Sequence, residues 1–578
     1  MQKRLVLVVL FLLLLGAGFA QAAPYRYVIA NSQDWKDVYS SCLYANLIDA
    51  KPYFLVSMRH SRLLVYGLSK GSNVSSLVVQ SSKLPYVVKY ADYLTSQDVP
   101  SVEKVVYSAN LELAQELNVT NFIIVDDSYG YNAISVAPYA VKKRAYVLFA
   151  DENNIDEVVN FLANHRVDSL MIYGIVDRIV VDSLEQYKPL IINEGDKFSD
   201  NVEILKLYQQ IAHNEQAILT NGEFIEEEIM SGNQPVVFIG RNNVPQVIDD
   251  YIKKSDISVG VLIGNDLVGT ATNIRRQLGI SVFVKFAQGA RAPTGPVSKV
   301  EALDMFKVPK VIVSLNLIKL AYNTATGTLE VTYQNLKDIS AFLRGTFTVT
   351  SETGEKQVVG DMNPVFLDAG GMKTLSYDVE RFMGKNLTGS AFVVFGEAPN
   401  SLEYTLQATM GVDIVNVLDA SKINVTSVEY DKSRGVFIVE IQNIGDVDVF
   451  VDGELVDLKV GYNLENIGMI KVGKLAPGEK KKFYLRPKKE VFDEDIERNK
   501  FVKLRVYYGE RENSLVKVFE GDFELIAVSG GIAVWIIVVV LVLLLFLFFL
   551  LKLRVKCENC GHRNLVFRSH CKKCGHKL

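Results

Sequence analysis

The sequence predicts a multidomain protein in which α/β parallel-sheet repeats precede two antiparallel β-sandwiches, one membrane-crossing helix and a small cysteine-rich terminal module. Three observations carry this prediction. Short apolar runs alternate with helix-like segments up to about residue 300, apolar and polar residues alternate from residue 308, and a 27-residue uncharged run precedes two Cys-x2-Cys pairs. At 578 residues the chain is also too long for one hydrophobic core.

The first 22 residues have the features of a secretory signal peptide. Lys3 and Arg4 precede the apolar run Leu5–Leu15, and Ala20-Gln21-Ala22 fits the small-x-small cleavage rule. We therefore expect residues 1–22 to be a signal peptide. An uncleaved anchor is the alternative.

Residues 23–300 are predicted to form an α/β domain with parallel sheets. Continuous apolar runs, such as Phe122–Val125 and Val259–Gly264, are typical of strands that are buried on both faces. Helix-like segments such as Asn153–His165 and Asn243–Lys254 lie between such runs. This alternation of strand and helix favours the α/β class.

The α/β region contains a repeat with a period of 95 residues. Val28–Ser57 aligns with Ile123–Asp151, so that Asn31-Ser32 falls on Asp126-Asp127. A third copy is predicted to begin at Val261–Ile274. Each unit is predicted to contain a strand, a polar loop, a helix and a second strand, which indicates two or three duplicated units.

The segment Asp126–Ala140, followed by the apolar strand Ala145–Asp151, combines a strand-end Asp, a short loop and an Ala-rich helix. In this pattern the chain resembles the cell wall binding repeat 2 family, and Ser169–Leu184 and Glu194–Tyr208 are similar to further segments of that family. Tyr-Gly at 173–174 replaces the usual Gly-Gly, so the chain would be a divergent member. The resemblance implies attachment or adhesion at a cell surface and no catalytic residues.

The loop after the first strand of each unit is a candidate ligand site, because α/β folds bind ligands at the carboxyl ends of their strands. The candidate residues are polar and come from both copies: Asp126, Asp127, Ser128, Asn132, Asn31, Ser32, Asp34 and Asp37. The alternative is that Asn132 and Asp37 cap helices while the other residues form polar turns.

From residue 308 the pattern changes to alternating apolar and polar residues, which predicts antiparallel sheets with one buried face. The length suits two β-sandwiches, residues 308–415 and 420–525. The second contains an Asn-x-Gly between two predicted strands and a Leu-x-Pro-Gly-Glu motif before another. It resembles CARDB-like and other Ig-like modules of microbial surface proteins, which implies a stalk or spacer.

A transmembrane helix is predicted at residues 527–551. Its core, Ile532–Leu551, has 20 uncharged residues, about 30 Å of helix. Three cations follow at once: Lys552, Arg554 and Lys556. Because positive charge marks the cytoplasmic side, we expect a cell-membrane protein of single-pass type I topology, with the N-terminal domain outside and the C-terminal tail in the cytoplasm.

The charge of the chain is unevenly distributed. The tail from Lys552 carries +7 and the N-terminus carries +2, so the rest of the chain, at a total of −4, carries −13. Such an acidic exterior argues against binding to nucleic acid. Four Asn-x-Ser/Thr sequons there are candidate glycosylation sites: Asn73, Asn118, Asn386 and Asn424. Cys42 is the only cysteine before the tail and is expected to be buried.

The tail contains two Cys-x2-Cys pairs separated by ten residues, and the cysteines are Cys557, Cys560, Cys571 and Cys574. Each pair lets one tight turn aim two thiolates at the same ion, and two turns complete a tetrahedron. We therefore predict one structural Zn²⁺ in a zinc ribbon at residues 552–578, with the nearby histidines outside the ligand set. An iron site with the same thiolates and a redox pair are alternatives, although a redox pair needs a larger fold.

Together these features favour a membrane-anchored surface protein of prokaryotic, archaeal source. Its α/β domain would bind envelope polymer or a surface-layer protein, the β-sandwiches would form a stalk, and the ribbon would contact a cytoplasmic protein. The sequence contains none of the common hydrolase or phosphate-loop signatures, so we expect no enzyme, although a surface hydrolase remains open. The alternative function is a single-span receptor that senses a small ligand and signals through its tail.

Overall fold

Three four-stranded parallel sheets form the first part of the structure, and each has its strands in the spatial order 2-1-3-4. The computed structural model describes residues 25–71, 75–287, 289–290, 301–382, 386–512, 514–528, 539–548 and 553–578. The predicted signal peptide, residues 1–22, lies outside these ranges. The chain divides into two compact units between Leu418 and Asp419.

Each sheet corresponds to one repeat. The strands of repeat 1 are β1 Tyr27–Asn31, β2 Lys51–Phe54, β3 Ser76–Ser81 and β4 Ser101–Val106. Those of repeat 2 are β5 Asn121–Val125, β6 Ala145–Phe149, β7 Ser169–Tyr173 and β8 Leu190–Ile192. Those of repeat 3 are β9 Gln216–Thr220, β11 Val236–Phe238, β12 Val259–Ile263 and β13 Ser281–Lys285, and β10 Phe224–Ile225 lies outside the sheet. All five residues of β1 and of β6 are buried, as expected for strands covered on both faces.

Helices connect the strands within and between the repeats. Their bounds are α1 Trp35–Leu47, α2 Met58–Leu64, α3 Tyr90–Ser96, α4 Ala109–Ala114, α5 Tyr131–Lys143, α6 Ile155–Ala163, α7 Arg178–Leu184, α8 Lys197–Ile211, α9 Glu227–Met230, α10 Gln246–Lys254 and α11 Ala271–Leu278. Short 3₁₀ turns occur at Val65–Gly67, Glu185–Tyr187 and Asn265–Thr270. The first helices of the three repeats, α1, α5 and α9, contact one another, and one buried apolar cluster contains residues of all three repeats.

The 95-residue period extends through all three repeats. In each one, the amide after the second strand donates to a carbonyl near the end of the first strand: Leu55 to Ala30 (2.9 Å), Ala150 to Val125 (3.0 Å) and Ile239 to Thr220 (2.8 Å). The three acceptors are 95 residues apart. Repeat 3 therefore begins at Gln216. The third start was predicted at Val261–Ile274, but this segment begins inside the third strand of repeat 3, Val259–Ile263. The short α9, with four residues against 13 in α1 and α5, hides this start in the sequence.

An asparagine in a connecting helix clamps each repeat to the next. Asn110 of α4 donates to the carbonyl of Val147 (2.8 Å) and accepts from the amide of Phe149 (3.0 Å), so it bonds the outer side of β6. Asn201 of α8 makes the corresponding bonds on β11: its Nδ2 donates to the Val236 carbonyl (2.9 Å) and its Oδ1 accepts from the Phe238 amide (2.8 Å). We call these two residues the asparagine clamps. They join the three sheets through side-chain bonds rather than through strand pairing.

The segment after repeat 3 contains three two-residue strands, β14 Gly289–Ala290, β15 Glu301–Ala302 and β16 Phe306–Lys307, and β16 pairs with β10. Two β modules follow. The first has β17 Leu315–Asn323, β18 Thr328–Asn335, β19 Ala341–Ser351, β20 Lys356–Gly360, β21 Val365–Leu367, β22 Met372–Asp378, β23 Leu387–Gly396 and β24 Tyr404–Val415. The second has β25 Ile423–Asp431, β26 Val436–Asn443, β27 Val449–Val460, β28 Asn463–Gly468, β29 Gly473–Leu475, β30 Lys480–Leu485, helix α12 Asp493–Arg498, β31 Phe501–Gly509 and β32 Lys517–Val528.

The prediction of two antiparallel sandwiches needs correction. Each module is one continuous eight-stranded sheet that curls on itself, because its last strand pairs with two different strands. In the first module β24 pairs antiparallel with β23 along most of its length and then parallel with β17 at Asp413–Val415. In the second module β32 does the same with β31 and β25. One parallel pairing therefore joins the two antiparallel halves of each curled sheet.

The two β modules are copies of one another. Their strand orders match one for one, and each has a bulge at the corresponding place in its first strand. Asn335 and Asn443, 108 residues apart, make the same bonds: each side-chain nitrogen donates to the carbonyl four residues ahead at 2.7 Å. The structure thus shows a tandem duplication within residues 308–528.

The predicted single membrane span is wrong. None of the helices in the described part of the chain is long and apolar enough to cross a bilayer. Of residues 527–551, the first two belong to β32, the helix at 539–548 covers about 15 Å, and the rest lie outside the described residues. The type I topology, with an outer N-terminal domain and a cytoplasmic tail, falls with the span.

Candidate functional site

The four cysteines of the C-terminal tail lie together. The sulfur atoms of Cys557 and Cys574 are 3.6 Å apart, as are those of Cys560 and Cys571, and all four lie within 4.8 Å of one another. Four sulfurs bound at about 2.3 Å around a tetrahedral ion are about 3.8 Å apart. The four cysteines can therefore hold one metal ion.

Two similar turns build this cluster. The amide of Cys557 donates to the carbonyl of His562 (2.9 Å), and Gly561 donates back to the Cys557 carbonyl (2.9 Å). The second turn repeats this pattern with Cys571, His576 and Gly575, at 2.7 and 3.0 Å. Gly561 and Gly575 have φ of 69° and 76°, a left-handed conformation that glycine adopts without steric cost. A hairpin of β33 Arg554–Lys556 and β34 Arg563–Leu565 leads into the first turn.

Asn564 forms hydrogen bonds to the cysteine cluster and was not anticipated from the sequence. It is 3 % exposed, its side-chain nitrogen donates to the Cys571 sulfur (3.3 Å), and its oxygen accepts from the Lys572 amide (2.9 Å). The Lys573 amide also donates to the Cys571 sulfur (3.4 Å). Desolvation raises the pKa of the Cys571 thiol, but the hydrogen bonds that stabilise its thiolate outweigh it, so the pKa falls to about 5. A thiolate is the form that ligates metals. An asparagine between the two Cys pairs was the available sequence signal.

In repeat 1 the side chains of the candidate ligand residues form hydrogen bonds with other residues of the protein. Asn31 is fully buried, and its oxygen accepts from the amides of Tyr86 (2.9 Å) and Val87 (3.2 Å), which ties β1 to the loop after β3. This side chain is therefore occupied in holding a loop.

The other three candidates of repeat 1 surround the start of α1. Asp34 caps this helix by accepting from the Lys36 amide (2.9 Å). Asp37, expected as a cap, lies within the first turn of the helix and accepts from Ser32 (2.8 Å) and from the Ala109 amide (3.0 Å). Burial raises the pKa of Asp37.

In repeat 2 the candidates lie between β5 and α5. Asp126 accepts from the amide of Ser128 (2.8 Å), and burial raises the pKa of Asp126. Asp127 forms an ion pair with Lys36 (2.5 Å), which brings the loops of repeats 1 and 2 together. Ser128 is exposed, whereas Asn132 is buried (7 %) against Gly174. Gly130, not Asn132, is the N-cap residue of α5.

Three of the four sequons lie in described residues. Asn118, Asn386 and Asn424 are exposed, so their side chains are accessible to a glycosylating enzyme. Asn73 lies outside the described residues. Cys42 is buried at 2 % exposure, as predicted.

Comparison with known proteins gives few matches. No protein-family model matches the chain, and no curated protein matches it. Among solved structures, Cwp6 from Clostridium difficile is similar over 42 % of this chain and 42 % of its own, with 12 % identity and a TM-score of 0.35. The E. coli chaperone DraB is similar over 37 % of this chain and 97 % of its own, with 14 % identity and a TM-score of 0.14. E. coli alpha-2-macroglobulin activated by porcine elastase is similar over 39 % of this chain and 24 % of its own, with 10 % identity and a TM-score of 0.14. The chain spans less than half of Cwp6, and at these TM-scores the likenesses carry no argument about function.

Proposed function

We propose that the α/β domain is a non-catalytic binding domain that attaches the protein to repetitive envelope polymer. One observation carries this proposal: the fourth strand of every sheet, at its outer edge, has large apolar side chains exposed to solvent. Their exposed fractions are 50 % for Val102 and 55 % for Val105 on β4, 52 % for Leu190 and 39 % for Ile191 on β8, and 62 % for Phe283 on β13. We call these three places the outer strand edges.

Exposed apolar side chains that cluster at one place mark interaction sites. Here they recur at three corresponding edges of a three-repeat domain, and Tyr107 (70 % exposed), directly after β4, adds an aromatic ring. A repeating polymer can occupy several equivalent sites at once. Linked binding of this kind raises the overall affinity far above that of one site. The resemblance of the sequence to a cell wall binding repeat family supports the same role.

The two β modules suit a stalk in this proposal, because a duplicated module extends a chain without adding a new site. The tail is proposed to hold one structural Zn²⁺. Four thiolates close the tetrahedron and leave no open position for a substrate or water.

The proposal is tested by co-sedimentation of the full chain with isolated envelope. Val105→Ser, Ile191→Ser and Phe283→Ser each remove an exposed apolar side chain from one outer strand edge, and each should weaken binding on the order of tenfold, with near-complete loss in the triple variant. Tyr66→Ser is the matched control, because Tyr66 is 85 % exposed but lies on no outer strand edge. Equal binding by the triple variant would contradict the proposal. Loss of binding after protease treatment of the envelope would show that the partner is a surface protein and not the polymer.

A further inference from the structure

A cavity of about 340 Å³ lies where repeat 3 meets repeat 1. One wall is the edge strand β2, with Lys51 to Phe54, and the turn at Gly67 lies nearby. The opposite wall holds Glu226 and Glu227 at the start of α9, and Lys285 at the end of β13. Its size falls within the range of pockets that bind small molecules.

The cavity lies where the period of the fold would place a third asparagine clamp. The two clamps bond the outer side of the second strand in repeats 2 and 3. Pro52 corresponds to Val147 in this register, because Pro52 pairs with Val28 and Val147 with Ile123, 95 residues later. Phe54 likewise corresponds to Phe149. The Pro52 carbonyl and the Phe54 amide are therefore the two groups that a third clamp would bond.

In the described residues between β13 and the first β module there is no helix, so within them this position has no clamp. Phe306 packs edge-on against the Phe54 ring, with 6.0 Å between centroids. The Lys51 amide donates to the carbonyl of Arg26, directly before β1, and the Leu55 amide donates to the carbonyl of Ala30 in β1. Because backbone groups alternate in direction along a strand, the carbonyl of Pro52 and the amide of Phe54 point away from the sheet. Within the described residues, neither of these two groups has a hydrogen-bond partner.

Charged side chains of both signs border the same cavity. Lys51 pairs with Glu227 (3.2 Å), and Lys285 pairs with Glu226, whose side chain is 1 % exposed. The lining also includes Asp304, so a ligand's ammonium group faces three carboxylates in this cavity and its carboxylate faces two lysines. A zwitterionic ligand suits such a wall better than a ligand of one charge.

We propose that this cavity binds a free amino acid with a primary carboxamide, of the glutamine or asparagine class, whose amide replaces the third clamp. The ligand's NH₂ donates to the Pro52 carbonyl and its carbonyl accepts from the Phe54 amide, as the side chains of Asn110 and Asn201 do one and two repeats away. A carboxylate in the same place has no hydrogen to donate to Pro52, so glutamate and aspartate are rejected. The site is independent of polymer binding by the outer strand edges.

The test is isothermal titration of the full chain with glutamine, asparagine, glutamate and norleucine. Glutamine or asparagine should bind once per chain, and the two other ligands at least about tenfold more weakly, since each lacks a hydrogen bond worth roughly 1–1.5 kcal/mol. Gly67→Trp should weaken carboxamide binding by a similar factor, because a side chain at Gly67 meets no atom within 4 Å and can occupy the cavity. Gly269→Trp, equally free of contacts but outside the cavity, is the matched control and should bind as the wild type does.

Binding of glutamate as tight as that of glutamine would overturn the proposal, as would full binding by the Gly67→Trp chain. Absence of carboxamide binding by the wild type would also overturn it. Should Gly67→Trp fail to fold, as judged by circular dichroism, Gly67→Leu replaces it with the same expected direction. Binding of an extended peptide in place of free amino acids would show that the peptide pairs with β2 as an added strand. This result would likewise refute a small-molecule site.

Discussion

The Nζ atom of Lys197 lies 2.6 Å from a carboxylate oxygen of Glu403, and both side chains are almost fully buried. Lys197 begins α8 of the α/β domain, whereas Glu403 directly precedes β24 of the first β module. Glu397 provides a second carboxylate at 3.5 Å. Burial lowers the pKa of Lys197, but these two carboxylates outweigh it and raise the pKa. A buried ion pair therefore joins the α/β domain to the first β module.

Lys197→Met should destabilise this unit strongly. The substitution leaves the buried carboxylate of Glu403 and the partly buried one of Glu397 without their cation, and breaking a buried pair in this way costs about 3–5 kcal/mol. Urea unfolding followed by Trp35 fluorescence measures the effect, in a Trp535→Phe background that leaves one tryptophan. In the double variant Lys197→Met/Glu403→Met, the loss of stability should be smaller than the sum of the two single losses by about 0.5–3 kcal/mol. Strictly additive effects of the two substitutions would show that the pair contributes no coupling.

Asp200 should make the α/β domain less stable as the pH rises. This residue of α8 is 1 % exposed, and burial, with smaller contributions from Asp196, Glu194 and Glu203, raises its pKa to about 7. The unfolded value is about 3.9, so between these two pH values the folded state holds a proton that the unfolded state has lost. The stabilisation is complete below about pH 4 and is lost by about pH 7.

Asp200→Asn removes this titration and retains an oxygen for the Glu194 amide, which donates to Asp200 at 2.6 Å. The stability of the variant relative to wild type should rise by about 1–3 kcal/mol between pH 5 and pH 8. Urea midpoints at both pH values measure the difference. A difference that stays constant with pH would show that Asp200 does not titrate in this interval.

The asparagine clamps should contribute more to the free energy of unfolding than ordinary side-chain hydrogen bonds do. Asn110→Ala leaves the Val147 carbonyl and the Phe149 amide buried without partners, which should cost about 2–4 kcal/mol. Asn164→Ala is the control, because Asn164 is exposed and bonds only to a carbonyl of its own helix, and it should change stability by less than about 0.5 kcal/mol. Equal unfolding midpoints for the two variants would mean that the clamp is not structural.

The elements that the sequence predicts best are those whose residue pattern is local. The buried strand Phe122–Val125 and the 95-residue offset are visible in the sequence because apolar runs and polar loop residues recur at fixed positions. The third repeat escaped because its first helix has four residues and lacks the Ala-rich pattern. The membrane span was inferred from the length of an uncharged run and the cations that follow it, and neither registers that β32 continues to Val528.

The duplication of the β modules was present in the sequence but went unnoticed. Gly396 to Leu402 and Gly509 to Leu515 share the pattern Gly-Glu-x-x-Asn-Ser-Leu. The structure gives the reason for the glycines, since a Cβ at Gly396 would lie 1.6 Å from the Ser401 carbonyl oxygen and one at Gly509 would lie 2.7 Å from that of Ser514. The asparagine clamps, by contrast, depend on contacts 35 residues or more apart, and no local pattern predicts them.

Asn564 offers the sharpest test of the metal centre. The full chain should contain one Zn²⁺, and Cys571→Ser should lose it, because metal binding supplies the folding energy of so small a module. Asn564→Ala keeps all four thiolates but removes the hydrogen bond to the Cys571 sulfur, so zinc should remain at one per chain while the affinity falls about 10–100-fold. Asn559→Ala is the matched control, since Asn559 is exposed and lies between Cys557 and Cys560. Competition with a chromophoric chelator measures the affinities, and zinc retained in full by Cys571→Ser, or equal affinities for the Asn564 and Asn559 variants, would refute this assignment.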